Sequence, residues 1–226
     1  MQIHIFPIDR SSEEMLQTLQ HPEYFADKVR NLKPESRRLR EILAVRCALK
    51  EICGGKEQQV GYTEDGAPYL LSSSSNEAPS DRNDAPTARK HSYLSISHTQ
   101  GYGAIIIGDS PVGIDIEHRG NRVENVVSRF LQAEEIFYIQ QLGDTTGMRP
   151  PEDDYLWRLP LHLAWSAKEA AFKVLGKDYY DLHHLTAIKQ IDFTSKEIIL
   201  AVHGRENPLL LHFDYTDDYV IVWLSL

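Results

Sequence analysis

The sequence contains few cysteines: Cys47 and Cys53 are the only two in 226 residues. If the helix predicted there continues through both, they lie on different faces and do not form a disulfide. A chain of this length buries roughly 70–75% of its unfolded surface, so it needs neither a disulfide nor a structural metal to fold. The composition therefore excludes a disulfide-rich secreted scaffold and favours reduced thiols in the cytoplasm.

Long hydrophobic runs are also absent. No apolar stretch approaches the ~20 residues that a membrane-spanning helix requires. The segment Met1–Pro7 lacks the basic residues and the long apolar stretch that are typical of a signal peptide. These absences predict a cytoplasmic protein that has no membrane partner.

The chain has no excess of positive charge, because its formal net charge is −9 at pH 7. This argues against broad nucleic-acid binding, which depends on basic surfaces. The basic residues are nevertheless unevenly distributed, and a group of them lies between positions 30 and 46. Two interpretations stay open: a seat for a small anionic ligand, or a solvated helix face paired with Glu35 and Glu41. The group consists of Arg30, Lys33, Arg37, Arg38, Arg40 and Arg46.

The apolar pattern predicts helices and strands that are interspersed along the chain. Helical spacing is found over 34–52, 123–142 and 162–175. No regular alternation of strand and helix is present, which favours an α+β fold over a doubly wound sheet. Residues 72–90 are rich in Ser, Asn, Asp and Pro and predict a mobile loop between strands. The predicted strands are 3–8, 93–98, 102–107, 112–117, 198–202, 209–213 and 219–224.

The strand 112–117 carries two carboxylates on one face. Alternation places its apolar residues on the opposite face and puts Gly113, Asp115 and Glu117 together. Residues two apart on a strand are roughly 6.5–7 Å apart at Cα. The pair is therefore close enough to bind one cation, although two acids on a strand face are also compatible with simple solvation.

The helix 162–175 carries a third acid. Glu169 and Lys173 are four residues apart, which is also the spacing of a surface salt bridge worth about 0.3–0.5 kcal/mol. Two aromatic residues share their arc, which is unusual for a solvated face, so we expect the arc to form the wall of a site. The arc comprises Trp165, Lys168, Glu169, Phe172, Lys173 and Gly176.

Three acids with lysines beside them indicate chemistry on a phosphate-bearing substrate. Carboxylate oxygens with no His or Cys nearby suit Mg²⁺, which keeps several waters and accepts phosphate oxygens as further ligands. Lysine ammonium groups supply point charge to a phosphate. The combination is typical of phosphoryl-type transfer, in which positioning and charge neutralisation provide most of the catalysis.

These stretches resemble the motifs of the 4′-phosphopantetheinyl transferases. Gly113–Glu117 matches the family's Gly-x-Asp-x-Glu motif, and Trp165–Lys173 matches its Trp-x-x-Lys-Glu-[Ala/Ser]-x-x-Lys motif. Ser95–His98 and Arg129–Glu135 match further segments of the surfactin-type, single-chain branch. The resemblance spans residues 37–176 and keeps the family's motif order.

The resemblance implies a fold of two similar α+β halves related by a pseudo-twofold axis, with the active site in the cleft between them. Residues 1–108, which contain the loop 72–90, would form the half on the nucleotide side of coenzyme A. Residues 109–226 would form the half that carries the metal and catalytic motifs.

The resemblance also implies roles for the acids. Asp115, Glu117 and Glu169 would hold Mg²⁺ on the pyrophosphate of coenzyme A. Glu135 would be the general base that accepts the proton of the carrier protein's serine. Glu134 is the second candidate for the base, because the match has one residue of play there.

The remaining implied roles concern coenzyme A. Lys173 would neutralise charge on the pyrophosphate and on the leaving group, and Ser97 would join it. His98 and Arg37 would bind the 3′-phosphate of the nucleotide.

One departure from the family concerns the adenine. Gly66, Ala67 and Pro68 would lie beside it through their main-chain groups. The family usually has Gly-Lys-Pro at this place, so this chain lacks one cation there. We expect weaker coenzyme A binding as a result, unless Arg38 or a basic residue of the loop 72–90 substitutes.

The implied function is Mg²⁺-dependent transfer of the 4′-phosphopantetheine group from coenzyme A to a serine of an acyl or peptidyl carrier protein. Adenosine 3′,5′-bisphosphate would be released, and we expect a cytoplasmic monomer. Fatty-acid, polyketide and nonribosomal-peptide carriers all present such a serine, and the sequence does not select among them. Two alternatives are a Mg²⁺-dependent phosphohydrolase or nuclease that uses the same acids on water, and a coenzyme A-binding module without turnover.

Overall fold

The computed structural model describes residues 1–71, 92–145 and 155–226. The mobile loop predicted at 72–90 lies outside the described residues. The chain divides into two compact units. The first consists of Met1–Ile96 and Gly101–Val112, and the second of Ser97–Gln100 and Gly113–Leu226.

The first unit is a five-stranded antiparallel sheet with helices inserted after its first strand. Its strands are β1 (Gln2–Pro7), β2 (Val60–Tyr62), β3 (Pro68–Leu70), β4 (Ser92–His98) and β5 (Tyr102–Gly108), and its helices are α1 (Ser12–Thr18), α2 (Ala26–Val29) and α3 (Arg37–Ile52). The strand order is β1-β5-β4-β3-β2. The last strand therefore returns to pair with the first.

Helix α3 begins and ends where its sequence favours it. The side chain of Ser36 caps the start by accepting a hydrogen bond from the N–H of Leu39 at 3.3 Å. Gly54 and Gly55 follow the end with φ of 68° and 84°, a conformation that glycine adopts without strain. The prediction of a helix over 34–52 is confirmed, with the start at Arg37.

The second unit repeats the topology of the first. Its strands are β6 (Val112–His118), β7 (Thr186–Asp192), β8 (Glu197–Val202), β9 (Leu209–Tyr215) and β10 (Tyr219–Ser225), and its helices are α4 (Val127–Phe130), α5 (Ala133–Thr145), α6 (Tyr155–Leu175) and α7 (Leu182–Leu185). The strand order is β6-β10-β9-β8-β7, so again the last strand pairs with the first and the helices follow the first strand. The prediction of an α+β fold is confirmed.

The helix predicted over 123–142 is wrong as a single element. A 3₁₀ turn (Asn121–Val126), α4 and α5 take its place. Leu131 has extended backbone, with φ of −114° and ψ of 136°, directly after the end of α4. Phe130 and Leu131 are each 1% exposed, and the break lets two consecutive large side chains both enter the core. The helix predicted over 162–175 begins earlier, at Tyr155, and continues through Pro160.

Glycine at position 113 allows β6 and α6 to approach closely. A Cβ atom at Gly113 would lie 2.1 Å from the carbonyl oxygen of Ala170. The facing helix residues Ala167, Ala170 and Ala171 are completely buried, so small side chains line this contact. The strand and the helix that carry the two motifs are thereby held side by side.

Within residues 1–71, 92–145 and 155–226, no helix combines the length and the apolar character that crossing a membrane requires.

We expect the Gly113→Ala variant to unfold more easily than the wild type, because its methyl group overlaps the Ala170 carbonyl. Overpacking of this kind costs about 1–3 kcal/mol. The midpoint of urea denaturation measures the effect. Gly120→Ala is the matched control, since a Cβ there meets its nearest atom at 3.5 Å, an ordinary contact. Equal midpoints for the two variants would refute the close-approach argument.

Candidate active site

Asp115 is the centre of a buried polar cluster in the second unit. It is 4% exposed on β6. Its Oδ1 accepts hydrogen bonds from the Ser97 hydroxyl at 2.8 Å and from Lys173 Nζ at 2.9 Å. Lys173 Nζ also donates to the Ile114 carbonyl at 2.7 Å. The structure thus brings together three of the predicted site residues, although they are far apart in the sequence.

The second oxygen of Asp115 is different from the first. Asp115 Oδ2 is fully enclosed and has no hydrogen-bond partner among the described residues. A buried carboxylate oxygen without a partner is unfavourable, because it has lost its water and gained no donor. A cation next to Oδ2 would remove that penalty.

Glu117 lies two residues farther along the strand and faces the helix. Its Oε1 accepts a hydrogen bond from Trp165 Nε1 at 3.1 Å. Burial, and after it the nearby Asp115 carboxylate, raise the pKa of Glu117 to about 7. Trp165 itself is held edge-to-face against Phe130, with ring centroids 5.0 Å apart. Trp165 therefore lines the site, as the helical pattern predicted.

Glu169 completes the group of interacting acids. Burial, followed by the Asp115 carboxylate, raises the pKa of Glu169, and Lys173 acts in the opposite direction. Glu169 in turn contributes to the raised pKa of Glu117. The three acids are therefore close enough to repel one another in surroundings of low polarity.

The donor set fits a hard divalent cation such as Mg²⁺. Three carboxylates, an enclosed oxygen without a donor and a shortage of positive charge are what such an ion neutralises. As their side chains are placed, however, no group of three or more His, Cys, Asp or Glu in the described parts of the chain forms a metal centre. Lys173 and Ser97 contact Asp115 instead, and Trp165 contacts Glu117.

Thr99 is a site residue that the sequence motifs did not indicate. Its hydroxyl lies 3.5 Å from Glu117 Oε2 and accepts a hydrogen bond from the N–H of His118 at 2.9 Å. Thr99 directly follows the Ser95–His98 segment, which was the only sequence signal for it. His98 lies half-buried at the end of β4.

Lys168 does not belong to the site wall, and its predicted place on that arc is wrong. The side chain is completely buried. Its Nζ donates to the carbonyl oxygens of Phe130 at 2.6 Å and Thr186 at 3.0 Å, and it lies 2.9 Å from a carboxylate oxygen of Glu135. Lys168 therefore ties α6 to the end of α4, the start of α5 and the start of β7.

Glu135, the predicted general base, is the acidic partner in this buried ion pair and is 4% exposed. Its Oε1 accepts a hydrogen bond from the N–H of Ile188 at 2.7 Å, and its Oε2 accepts one from the N–H of Gln132 at 2.9 Å. Both oxygens are thus engaged inside the protein, whereas Glu134 is exposed. The role of Glu135 as general base stays a prediction. In this structure its contacts hold the start of α5 in place.

The residues predicted to contact the nucleotide include four in the first unit. Arg37 Nε donates to Glu41 Oε1 at 2.7 Å. Gly66 and Ala67 lie in the turn between β2 and β3, and Pro68 is the first residue of β3. The N–H of Ala67 donates to the Thr63 hydroxyl at 3.1 Å, and its carbonyl accepts from the N–H of Thr63 at 2.9 Å. Both main-chain groups of Ala67 are therefore used within the turn.

The comparisons with known proteins agree with the motifs. A family model described as the 4′-phosphopantetheinyl transferase superfamily matches residues 111–223, which is half of the 226-residue chain. A search of curated proteins gave no match.

We expect the Lys168→Met variant to lose about 3–5 kcal/mol of folding free energy, because it leaves the buried Glu135 carboxylate without its cation. Adding Glu135→Gln to the same chain should recover part of the loss. Chemical denaturation of the single and double variants measures both effects. Lys189→Met, at an exposed position, is the control. A Lys168→Met protein as stable as this control would contradict the buried ion pair.

We expect Glu117→Gln to stabilise the metal-free protein at alkaline pH. The pKa of Glu117 in the folded state, about 7, lies above the usual value of 4.5. The folded state therefore binds this proton more tightly than the unfolded state, and stability falls as pH rises from 4.5 through 7. The variant should exceed the wild type by roughly 2–3 kcal/mol at pH 8, and the difference should shrink toward pH 5.

Thermal and urea denaturation in the presence of a chelator measure this pH dependence. Glu134→Gln is the matched control, because it makes the same substitution at an exposed carboxylate. A stability difference that does not change between pH 5 and pH 8 would show that Glu117 titrates normally.

Proposed function

The chain belongs to the 4′-phosphopantetheinyl transferase superfamily, and from this premise we propose that it transfers the phosphopantetheine arm of coenzyme A to a serine of an acyl or peptidyl carrier protein. We further propose that it acts as a cytoplasmic monomer of the surfactin-type branch. The cluster of Ser97, Asp115 and Lys173, with the enclosed and unpartnered Asp115 Oδ2, is the observation that carries the proposal.

In this proposal Asp115, Glu117 and Glu169 hold Mg²⁺. When bound, the ion supplies positive charge to the pyrophosphate oxygens of coenzyme A. The repulsion among the three acids supports the assignment, because a cation is the ligand that relieves it. Trp165 keeps one oxygen of Glu117 oriented through its indole N–H.

The reaction consists of one displacement at phosphorus. The serine oxygen of the carrier forms a bond to the β-phosphorus, and the bond from that phosphorus to the bridging oxygen breaks. The serine proton passes to a base, and adenosine 3′,5′-bisphosphate leaves with the bridging oxygen. Lys173 supports this step, because its ammonium already lies beside Asp115 and can balance the charge that develops on the leaving group.

Both candidates for the general base, Glu134 and Glu135, lie in the first turn of α5. To accept the proton, Glu135 would need to exchange its contact with Lys168 for one with the carrier's serine. Glu134 is exposed and needs no such exchange. A pH–rate profile on each Gln variant, corrected for the folded fraction, separates the two. Loss of the acidic limb, where the rate rises as the base loses its own proton, identifies the acceptor, and loss of amplitude alone identifies a positioning residue.

The nucleotide side is proposed for residues 1–108, which include His98. Arg37 and His98 would bind the 3′-phosphate of coenzyme A. Gly66, Ala67 and Pro68 would contact the adenine. Because both main-chain groups of Ala67 are used in the turn, the neighbouring carbonyls are better placed for this contact than Ala67 itself.

We expect intact-mass spectrometry to show a phosphopantetheine mass gain on an apo-carrier that is incubated with the protein, coenzyme A and Mg²⁺. Asp115→Asn should reduce the rate at least about 100-fold, because it weakens both the metal site and the hold on Lys173. Asp109→Asn, in an exposed turn, is the matched control and should keep full activity. A chelator should stop the reaction of the wild type.

The products of the same assay distinguish the alternatives. Release of adenosine 3′,5′-bisphosphate without any carrier would indicate a phosphohydrolase. Binding of coenzyme A with no product from acyl, polyketide or peptidyl carriers would indicate a binding module and refute the transferase proposal for those partners.

A further inference from the structure

His162 is a buried histidine of α6 that lies outside both sequence motifs. It is 4% exposed, and its Nε2 lies 2.9 Å from the carbonyl oxygen of Gly120. A carbonyl oxygen only accepts hydrogen bonds, so Nε2 carries the hydrogen and donates it. Gly120 follows the end of β6, which is His118. The side chain of His162 therefore joins the helix to the segment directly after the strand.

The surroundings of His162 favour its neutral form. Burial is the main cause that lowers the pKa of His162, whereas the hydrogen bond to the Gly120 carbonyl acts in the opposite direction. The neighbouring Arg119, His118 and Arg158 lower the pKa further, because they add or can add positive charge. A neutral ring has a single N–H, and the Gly120 carbonyl receives it. These contacts describe a fixed link between two elements.

A second link between the same elements lies one helical turn away. Trp165 follows His162 by three residues, and its Nε1 donates to Glu117 Oε1 at 3.1 Å. Glu117 precedes Gly120 by three residues. As α6 advances by one turn, its partner therefore moves back from Gly120 to Glu117. Two such links on adjacent turns fix the register of the helix against the end of the strand.

This end of β6 depends on links of that kind. The close approach at Gly113 fixes the start of the strand, but Glu117 lies four residues farther along. Glu117 is half-buried, whereas Asp115 is 4% exposed. β6 is also an edge strand of its sheet, and strand ends open more readily than strand centres. The position of Glu117 relative to α6 is therefore set by contacts at the end of the strand.

Other links at the same place come from loops. The N–H of His118 donates to the Thr99 hydroxyl at 2.9 Å, and Arg119 Nη1 donates to the carbonyl of Thr216 at 2.7 Å. The link from His162 differs, because it comes from the helix that carries part of the candidate site. It is therefore the one suited to hold strand and helix in a common register.

We propose that His162 is a positioning residue for the proposed transfer reaction: its bond to Gly120 sets where α6 meets the end of β6, so that Trp165 reaches Glu117. The catalytic consequence rests on the proposed function, whereas the positioning is a property of the folded chain. His162 acts through Trp165 and Glu117, and its hydrogen stays on Nε2.

The indole N–H signal of Trp165 in a ¹⁵N-labelled protein measures the positioning without metal, coenzyme A or carrier. Trp165→Phe assigns this signal among those of the three tryptophans. His162→Leu keeps an apolar side chain but removes the donor, so it should shift the signal and speed up exchange of its hydrogen by up to about tenfold, the effect of one hydrogen bond. His162→Gln should restore the wild-type signal, because an amide N–H can take the place of Nε2–H.

Binding of Mn²⁺, followed by the EPR signal of the free ion, measures the effect on the proposed metal ligands. His162→Leu should weaken Mn²⁺ binding by about tenfold, the usual loss when a group that supports a metal ligand is removed. In the transfer assay the same variant should need correspondingly more Mg²⁺ for its half-maximal rate, with an unchanged KM for the carrier. His162→Gln should stay close to the wild type in both measurements.

Controls separate positioning from stability. Leu161→Ala shortens a side chain of the same helix that is 1% exposed, so it lowers stability but removes no hydrogen bond to the strand end. Where it is folded, it should keep the Trp165 signal and the Mn²⁺ affinity. His203→Leu, at an exposed position, should resemble the wild type throughout. If His162→Leu does not fold, His162→Asn replaces it, because its amide stops short of the Nε2 position.

Four outcomes would overturn the proposal. An unchanged Trp165 signal in folded His162→Leu would show that α6 keeps its register without the bond. A changed signal with unchanged Mn²⁺ affinity and Mg²⁺ requirement would show a purely structural link. A His162→Gln variant as impaired as His162→Leu would show that the packing of the ring matters and not the donated hydrogen. A wild type that binds no Mn²⁺ would leave Glu117 without a metal to hold.

Failure of the proposed function has a different result. A wild-type protein that modifies no carrier would refute the transferase proposal for those carriers. The Trp165 signal and the Mn²⁺ affinity need no carrier, so they still decide whether His162 positions Glu117.

Discussion

The close approach of β6 and α6 is the constraint on which the candidate active site depends. At Gly113 the strand meets the Ala170 carbonyl with no side chain between them. Two residues farther along the strand, Asp115 therefore reaches Lys173, three residues farther along the helix, at 2.9 Å. A side chain at position 113 would overlap the Ala170 carbonyl and push the strand and the helix apart. The placement of the reactive groups is thus a property of the backbone packing, which is what holds a site preorganised.

The charges of the site are favourable only as a set. Asp115, Glu117 and Glu169 are taken out of water together, and Lys173 offsets part of their repulsion. Holding the three acids together lowers the stability of the fold, because the same acids far apart on the surface would not repel one another or lose their water. Such a cost is typical of sites whose ligand supplies the missing charge. The same arrangement also explains why Glu117 keeps its proton at a pH where an ordinary glutamate has lost it.

Local patterns of the sequence predicted the elements that carry the motifs, because apolar periodicity reports directly which face is buried. This periodicity predicted the α+β class, the strand that carries Asp115 and the helix that carries Glu169. It did not predict the shared strand order, since pairing depends on contacts between distant segments. Lys168 shows the same limit: a helical projection places it beside Trp165, but carbonyl oxygens from other segments bind it in the core instead. No local pattern records where those oxygens lie.

The two units offer a comparison between two buried cations. The long helices α3 and α6 both follow the first strand of their sheet, and each buries a long cationic side chain, Arg46 in α3 and Lys168 in α6. Lys168 is neutralised by Glu135 and by carbonyl oxygens, so the fold itself supplies the compensation. Arg46 is buried nearly as deeply, but its recorded neighbour is the ring of Phe25. Since burial is common to both, the difference lies in the partners: Lys168 joins segments of the chain through charge and hydrogen bonds, whereas Arg46 lies over an aromatic ring.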